Sequence, residues 1–297
     1  MIGKYLKRAI AALGIATAAS ATPAATPMQA QPALWEVSDP DTTIYLFGTI
    51  HLLPENYAWR TKALDRAIAT SDGLVVETIV DEKNPAELIA AMTKLGYATG
   101  LPPLAERLDP AKRPLLQAAI AKTGLPPAIF DRMETWAAAF TLLGVQFKEL
   151  GLKGEAGVEQ VLRDAFGNAG KPIGQLETNM EQLGFFDTLP EGAQRSLLEG
   201  AIETGNSASG SFAEMLRSWA SGDVDAIART FNRDLSASPE LREALLKRRN
   251  ANWSRWIERR LAQPGSVLVA VGAGHLAGQD SVQALLEKEG YRVRRLQ

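Results

Sequence analysis

Thr42-Thr-Ile-Tyr-Leu-Phe-Gly-Thr-Ile-His51 is a β-branched and aromatic run that ends in a G-x-x-H motif. A second apolar run, Ser266-Val-Leu-Val-Ala-Val-Gly-Ala-Gly-His275, ends in the same motif near the other end of the chain. The two motifs contain the only histidines in 297 residues. Runs of this kind are typical of buried strands. We therefore expect the two histidines to come together in one site built from distant segments.

The rest of the chain alternates between strand-like and helical patterns. Further strands are predicted at 34–39, 73–77, 171–177 and 291–296, and the first of these forms a hairpin with 42–47. Helical patterns cover 58–70, 156–168, 179–262 and 279–289. Strands that alternate with helices indicate parallel pairing. We predict an α/β fold, with a central sheet, flanking helices and a mainly helical insertion or cap at about 85–150.

Residues 1–30 are predicted to be a secretory signal peptide and leader. Lys4, Lys7 and Arg8 form a basic segment, an apolar stretch follows at 9–19, and candidate cleavage sites lie after Ala21 and Ala30. The apolar stretch is shorter than the about 20 residues that span a bilayer. Residues 31–297 would then form one α/β domain in the periplasm or outside the cell, without a membrane span.

Composition excludes several kinds of chemistry. The chain has no cysteine, so thiolate metal ligands, a cysteine nucleophile, disulfides and a lipid anchor on cysteine are excluded. Without residues 1–30 it carries 29 basic and 34 acidic residues, a formal charge of −5, and no nucleic-acid partner is expected. The chain also lacks G-x-S-x-G, HExxH and P-loop motifs, which leaves a serine triad without support.

Four predicted strands end in a group that could take part in catalysis, namely His51, Glu77, Glu177 and His275. Ligands of open α/β sheets bind at the carboxyl ends of the strands. Each group alone has a structural explanation: a tight turn for a histidine, an arginine partner for Glu77, a helix cap for Glu177. Their joint placement favours one converging site.

The helix predicted at 239–262 adds two polar residues to this site. Arg249 and Asn250 fall on its apolar stripe, whereas Arg248, Asn252, Arg255 and Arg259 point outward. A buried arginine is costly unless it meets a carboxylate. Glu77 or Glu177 is therefore the expected partner of Arg249, and the alternative is an arginine that reaches out to water.

Together these motifs resemble the TraB/GumN family, in a wider Tiki-like group related to erythromycin-esterase-like and ChaN-like proteins. The resemblance rests on Leu46-Phe-Gly-Thr-Ile-His51-Leu, the strand ending in Glu77, the segment from Lys171 to Glu177, Arg249-Asn250 and Val271-Gly-Ala-Gly-His275-Leu-Ala-Gly. It covers essentially the whole chain after residue 30, in order. It implies an α/β fold with the motifs in one cleft.

The resemblance also implies a chemistry. Tiki members are metal-dependent peptidases in which the paired histidines and a glutamate are implicated, and these match His51, His275 and Glu77. The leading hypothesis is an exported metal-dependent hydrolase, a metallopeptidase, in which these three residues hold Zn²⁺, Mn²⁺ or Co²⁺ and activate a water molecule. The substrate would be a peptide or a small molecule.

The other predicted site residues support that reaction. Glu177 is the predicted general base, while Arg249 and Asn250 stabilise an oxyanion or orient the substrate. In a metal-free alternative, one histidine deprotonates water and a glutamate holds its tautomer. A third possibility is a periplasmic protein that captures haem or a metal without catalysis.

Overall fold

A computed structural model describes residues 30–80, 85–149, 154–202, 206–235 and 238–297. Apart from Ala30, the predicted signal peptide lies outside the described residues. The strands are β1 (Leu34–Ser38), β2 (Thr42–Thr49), β3 (Gly73–Val76), β4 (Ile173–Gln175), β5 (Gly265–Gly272) and β6 (Val293–Arg295). They form one six-stranded sheet in the order β4-β3-β5-β2-β1-β6. The predicted α/β fold is confirmed.

The two strands that carry the histidine motifs are neighbours in the centre of the sheet. β2 and β5 are parallel, with Gly48 opposite Val271 and Thr49 opposite Gly272. β3 pairs in parallel with β5 and with β4. β1 is antiparallel to β2, as the predicted hairpin requires, and to β6. The carboxyl ends of β2, β3, β4 and β5 therefore lie at one edge.

Both faces of the central strands are covered, which explains their continuous apolar sequences. On one face, Ile44 and Leu46 of β2 pack with Val267 and Val269 of β5 and with Ile257 of a long helix near the C-terminus. On the other face, the intervening residues of the same strands, such as Phe47 of β2 and Leu268 of β5, join a larger core made with other helices. A period of two therefore divides each strand between two cores.

The helices occupy the long connections. They are α1 (Lys62–Thr70), α2 (Ala86–Leu95), α3 (Arg113–Thr123), α4 (Pro127–Asp131), α5 (Thr135–Glu149), α6 (Val158–Asn168), α7 (Asn179–Asp187), α8 (Glu191–Ile202), α9 (Asn206–Ala220), α10 (Val224–Leu235), α11 (Pro239–Arg242), α12 (Arg248–Leu261) and α13 (Val282–Lys288). Short 3-10 turns lie at Leu104–Arg107, Pro110–Lys112, Gly154–Ala156 and Ala273–Leu276. No helix of the described part is long and apolar enough to cross a membrane.

Three predicted helices differ from the observed ones, two because a side chain caps the helix later than predicted and one because a π-helical turn divides it. α1 begins at Lys62 rather than 58 because the side chain of Thr61 accepts from the N–H of Leu64 at 3.2 Å and caps the helix. α13 begins at Val282 rather than 279 because Ser281 caps it in the same way. The continuous helix predicted over 239–262 is also divided, since a π-helical turn at Glu243–Lys247 separates α11 from α12.

Candidate active site

Arg249, in the first turn of α12, is the centre of a buried cluster at the carboxyl edge of the sheet. Its Nη2 donates to Glu77 at 2.6 Å and to Glu177 at 2.8 Å, and its Nε donates to both oxygens of Glu177 at 3.0 Å. Glu77 directly follows β3, and Glu177 lies two residues after β4. The arginine is only 3% exposed, so it is buried and paired with a carboxylate as expected, and it pairs with both Glu77 and Glu177 where the sequence predicted one or the other.

His275 joins this cluster as a neutral acceptor. It lies in the 3-10 turn that follows β5, where it is fully buried. Its Nδ1 is 2.6 Å from Oδ1 of Asn250, and its Nε2 is 3.1 Å from Nη1 of Arg249. The guanidinium can only donate, so Nε2 accepts and Nδ1–H donates to Asn250. Burial and the charge of Arg249 lower the pKa of His275 to about 3.

The side chain of Asn250 is oriented for this contact. Its Nδ2 donates to the backbone carbonyl of Asp280 at 2.7 Å, which turns Oδ1 towards His275. Trp253, one turn further along α12, donates from Nε1 to Glu177 at 3.0 Å. Its ring lies 4.4 Å from the imidazole of His275 and 4.7 Å from the guanidinium carbon of Arg249. The side chains of the cluster are thus buried and hydrogen-bonded to one another.

The two carboxylates of the cluster differ in acidity. Burial raises the pKa of Glu77, but the charges of Arg249 and His51 and a hydrogen bond of 2.6 Å from the backbone N–H of Gly272 hold it well below its ordinary value. Burial raises the pKa of Glu177, and the charge of Arg249 offsets this effect only in part. Two carboxylates that share one guanidinium cannot both be fully stabilised as anions. Glu77 is therefore the firmly ionised member.

His51 lies outside the hydrogen-bonded cluster around Arg249 and pairs instead with Glu159. Its Nδ1 contacts Oε1 of Glu159, and the hydroxyl of Thr49 donates to the same oxygen. The His51 side chain is 31% exposed and that of Glu159 15%. Burial lowers the pKa of His51, but the carboxylate of Glu159 more than reverses this effect and raises the pKa to about 9. His51 is therefore the accessible histidine and His275 the buried one.

A close backbone approach places Glu159 beside His51. Glu159 is the second residue of α6, and the N–H of Val158 donates to the carbonyl of Ile50 at 3.1 Å. Gly157, which precedes the helix, lies against the backbone carbonyl of His51, where a Cβ atom would overlap the carbonyl oxygen. Glycine is required at this position because the two backbones approach closely. Its φ of −62° is ordinary and would suit any residue.

His51 and Glu159 open into a cleft of about 230 Å³. The cleft is also lined by Leu52, Glu77, Thr78, Val80, Gly154, Gln160, Arg163 and Gln182. Gln182 links it to the buried cluster, since its Nε2 donates to Glu77 at 3.3 Å. The volume is below the about 300–1,000 Å³ of typical ligand pockets. The cleft therefore has room only for a small group.

The residues present do not fit a divalent metal ion in this arrangement. The positions around Glu77 and His275 are taken by the guanidinium of Arg249, which already pairs with both carboxylates of the cluster. His51 contacts Glu159 instead of sharing an ion with them. Within the described ranges no three histidine, aspartate or glutamate side chains are arranged to hold a metal. The metal stays a prediction from resemblance.

The structure thus brings five predicted site residues into direct contact and places the sixth beside them. Arg249 contacts Glu77, Glu177 and His275, and Asn250 contacts His275. His51 is near enough for the charges of Glu77 and Arg249 to affect its pKa. Glu177, Arg249 and Asn250 are all buried.

Sequence reasoning missed Glu159, the direct partner of His51, and with it Arg163 and Gln182 of the cleft. Glu159 and Arg163 lie one turn apart on α6. The only available signal was the pattern Gly157-Val-Glu159 at a helix start, and it contains nothing that points to a histidine more than 100 residues away.

Two histidine motifs at the ends of neighbouring parallel strands define an α/β protein in which a buried cluster around His275 lies beside a cleft lined by His51. The chain belongs to the TraB/PrgY/gumN family, whose model matches residues 33–295. It is similar to the uncharacterized protein YbaP of Escherichia coli (strain K12), with 26% identity over 242 residues, covering 82% of this chain and 87% of that protein. YbaP of Shigella flexneri gives the same values. No solved structure matches the chain significantly.

Proposed function

We propose that the chain is a hydrolase in which His51, oriented by Glu159, activates a water molecule for attack on an acyl group. The observation that carries this proposal is the His51–Glu159 contact at the mouth of the cleft. Since Nδ1 of His51 faces the carboxylate, Nε2 is the nitrogen that exchanges a proton. A histidine held by a carboxylate in this way is a recurring general base.

The reaction needs no further reactant than water. His51 Nε2 takes a proton from water while the water oxygen bonds to the carbonyl carbon of an ester or amide. The tetrahedral intermediate collapses, the bond to the leaving group breaks, and the proton on Nε2 passes to the leaving oxygen or nitrogen. Gln182, whose side-chain amide lines the cleft, is the donor we assign to the developing oxyanion.

The buried cluster has a positioning role in this proposal. Arg249 and Asn250 do not reach the cleft, so they act through the groups they hold. Arg249 keeps Glu77 ionised, and Glu77 in turn accepts from Gln182. Asn250 and Arg249 hold His275 neutral beneath the site. In this proposal His51 is the base in place of Glu177, and Arg249 and Asn250, predicted to stabilise an oxyanion or orient the substrate, act on the substrate only indirectly.

Export through the signal peptide is part of the proposal. It is supported by the basic and apolar pattern of residues 1–19 and by the two candidate cleavage sites. Fractionation of expressing cells, followed by mass spectrometry of the N-terminus, tests it. A chain that starts after Ala21 or Ala30 in the periplasmic fraction supports export, and an intact Met1 in the cytoplasm contradicts it.

The catalytic proposal is tested with the wild type, His51→Ala, Glu159→Gln and one control variant. Hydrolysis of 4-nitrophenyl acetate and of a quenched fluorescent peptide mixture is measured for each. His51→Ala should reduce the rate by about 10²- to 10⁴-fold, the usual contribution of a general base. Glu87→Gln is the matched control, because Glu87 is also the second residue of its helix, α2, and is exposed. Unchanged hydrolysis by His51→Ala would overturn the proposal.

Chelation separates this mechanism from the metal-dependent one. Dialysis against EDTA should leave the rate unchanged, because no step depends on a bound ion. A rate that is lost on dialysis and restored by Mn²⁺, Co²⁺ or Zn²⁺ would favour the metallopeptidase hypothesis instead.

A further inference from the structure

Arg163 is the one permanent cation among the described residues that line the cleft. The two carboxylates of the cleft already have partners. Glu159 contacts His51, and Glu77 contacts Arg249. The charge of Arg163 is therefore not neutralised by either of them.

The guanidinium of Arg163 is nevertheless held in place. Its Nη1 donates to the carbonyl of Val80 at 2.6 Å, and its Nη2 donates to Oε1 of Gln160 at 2.8 Å. Both acceptors are neutral, so they fix the orientation without removing the charge. A guanidinium has five N–H donors, and these contacts use two of them. A fixed arginine with further donors is suited to a carboxylate ligand.

The position of Arg163 limits how far that carboxylate lies from the reacting bond. Arg163 and Glu159 are four residues apart on α6 and hence on one face of the helix, with Cβ atoms about 5–6 Å apart. Glu159 contacts His51 directly. Because Glu159 is one helical turn from Arg163 and contacts His51, a peptide whose carboxylate binds Arg163 would have its last residues near His51.

Two further polar atoms in the cleft point to a ligand with N–H groups. Oε2 of Glu159 and Oγ1 of Thr78 are both buried and have no hydrogen-bond partner among the described residues. Both residues line the cleft. Buried polar atoms are normally paired. The Glu159 oxygen can only accept when ionised, which suits the N–H of an amide or amine beside the reacting carbonyl.

We propose that Arg163 binds the free α-carboxylate of an N-acyl amino acid or of a peptide C-terminus, and that the bond cleaved lies one or two residues before it. The inference rests on the proposed hydrolase function and specifies its substrate class. Hydrolysis of the amide bond then releases an amino acid or dipeptide, and its new amino group takes the proton carried by His51.

Binding is measured first, so that the test does not depend on turnover. The probes are N-acetyl-dialanine and its C-terminal amide, titrated into the wild type, Arg163→Gln and Arg66→Gln by calorimetry. Arg66 lies exposed on α1 and serves as the matched control. The wild type and Arg66→Gln should bind the free acid about tenfold or more tightly than the amide, as expected for a hydrogen bond to a charged group. Arg163→Gln should bind both alike.

Kinetics with the same probes separates the two proposals. The wild type and Arg66→Gln should hydrolyse the free acid faster than the amide, and Arg163→Gln should lose that preference through KM. Equal binding of acid and amide by the wild type, or a preference that survives in Arg163→Gln, would overturn the assignment of Arg163. Selective binding without any hydrolysis would instead overturn the hydrolase proposal and leave the carboxylate site standing.

Discussion

Nη1 of Arg249 lies 3.1 Å from Nε2 of His275, so the histidine of the second G-x-x-H motif is bound by a cation. An imidazole nitrogen that accepts from a guanidinium cannot be protonated at the same time. The two histidines of the paired motifs therefore have opposite characters. The buried one is held neutral, and the accessible one is held protonated at neutral pH by Glu159.

Replacement of Arg249 should strongly destabilise the fold. Arg249→Met leaves the buried carboxylates of Glu77 and Glu177 without their counter-ion, and breaking a buried ion pair in this way costs about 3–5 kcal/mol. The free energy of unfolding is measured by urea titration. Arg66→Met is the control and should change it by less than about 0.5 kcal/mol, as is usual for an exposed position. A loss below about 1 kcal/mol for Arg249→Met would contradict the role given to the cluster.

The hydrolytic rate should rise with pH, because only the neutral form of His51 accepts a proton from water. With a pKa of about 9, kcat/KM should increase about tenfold per pH unit below that value and level off above it. Glu159→Gln removes the charge that raises this pKa. The midpoint of its profile should therefore move down towards 6.5, the ordinary histidine value. An unshifted midpoint in Glu159→Gln would show that another group controls the profile.

The contribution of the two histidines to the free energy of unfolding should be greatest near pH 6.5. His275 has a folded pKa of about 3, so the unfolded chain binds more protons between about 3 and 6.5 and stability falls as the pH drops through this window. His51 has a folded pKa of about 9, so the folded chain binds more protons between 6.5 and about 9. The stabilisation that protonated His51 provides is therefore complete below pH 6.5 and is lost as the pH rises through about 9.

Thermal unfolding at a series of pH values tests this dependence. His51→Gln should lose the decline on the alkaline side while keeping the decline on the acid side. An alkaline decline that is the same in His51→Gln and in the wild type would assign it to a different group.

Gly157→Ala should both destabilise the protein and reduce its activity. The added Cβ overlaps the backbone carbonyl of His51, which cannot rotate away as a side chain could, and overpacking of this kind costs about 1–3 kcal/mol. The start of α6 must then move, and Glu159 moves with it. Urea unfolding and hydrolysis are measured side by side.

Gly167→Ala is the matched control, since it lies in the same helix and an added Cβ meets nothing within 4 Å. It should leave stability unchanged or raise it by up to about 1 kcal/mol, because alanine favours a helix over glycine. Equal effects of the two substitutions would mean that the approach of Gly157 to His51 is not needed for activity.

The elements were predictable where local patterns are strong. The runs that end at His51 and His275 are long, apolar and rich in β-branched residues, so they appear as β2 and β5 within one or two residues of their predicted bounds. The inward face of α12 was also readable, since a helical period of 3.6 places Arg249 on the same stripe as Trp253 and Ile257. The division of that helix by a π-helical turn was not, because a single extra residue in one turn leaves the apolar pattern almost unchanged.

The amino-acid sequence by itself determined which polar groups lie at the strand ends. Each of these groups is the residue at which an apolar run stops, and such runs can be recognised locally. Only the tertiary structure decided how these groups pair. Arg249 takes the place between Glu77, Glu177 and His275, while Glu159 comes from a separate helix to contact His51. Those choices depend on side-chain packing and charge balance between segments 26 to 172 residues apart in the chain, and no local pattern encodes them.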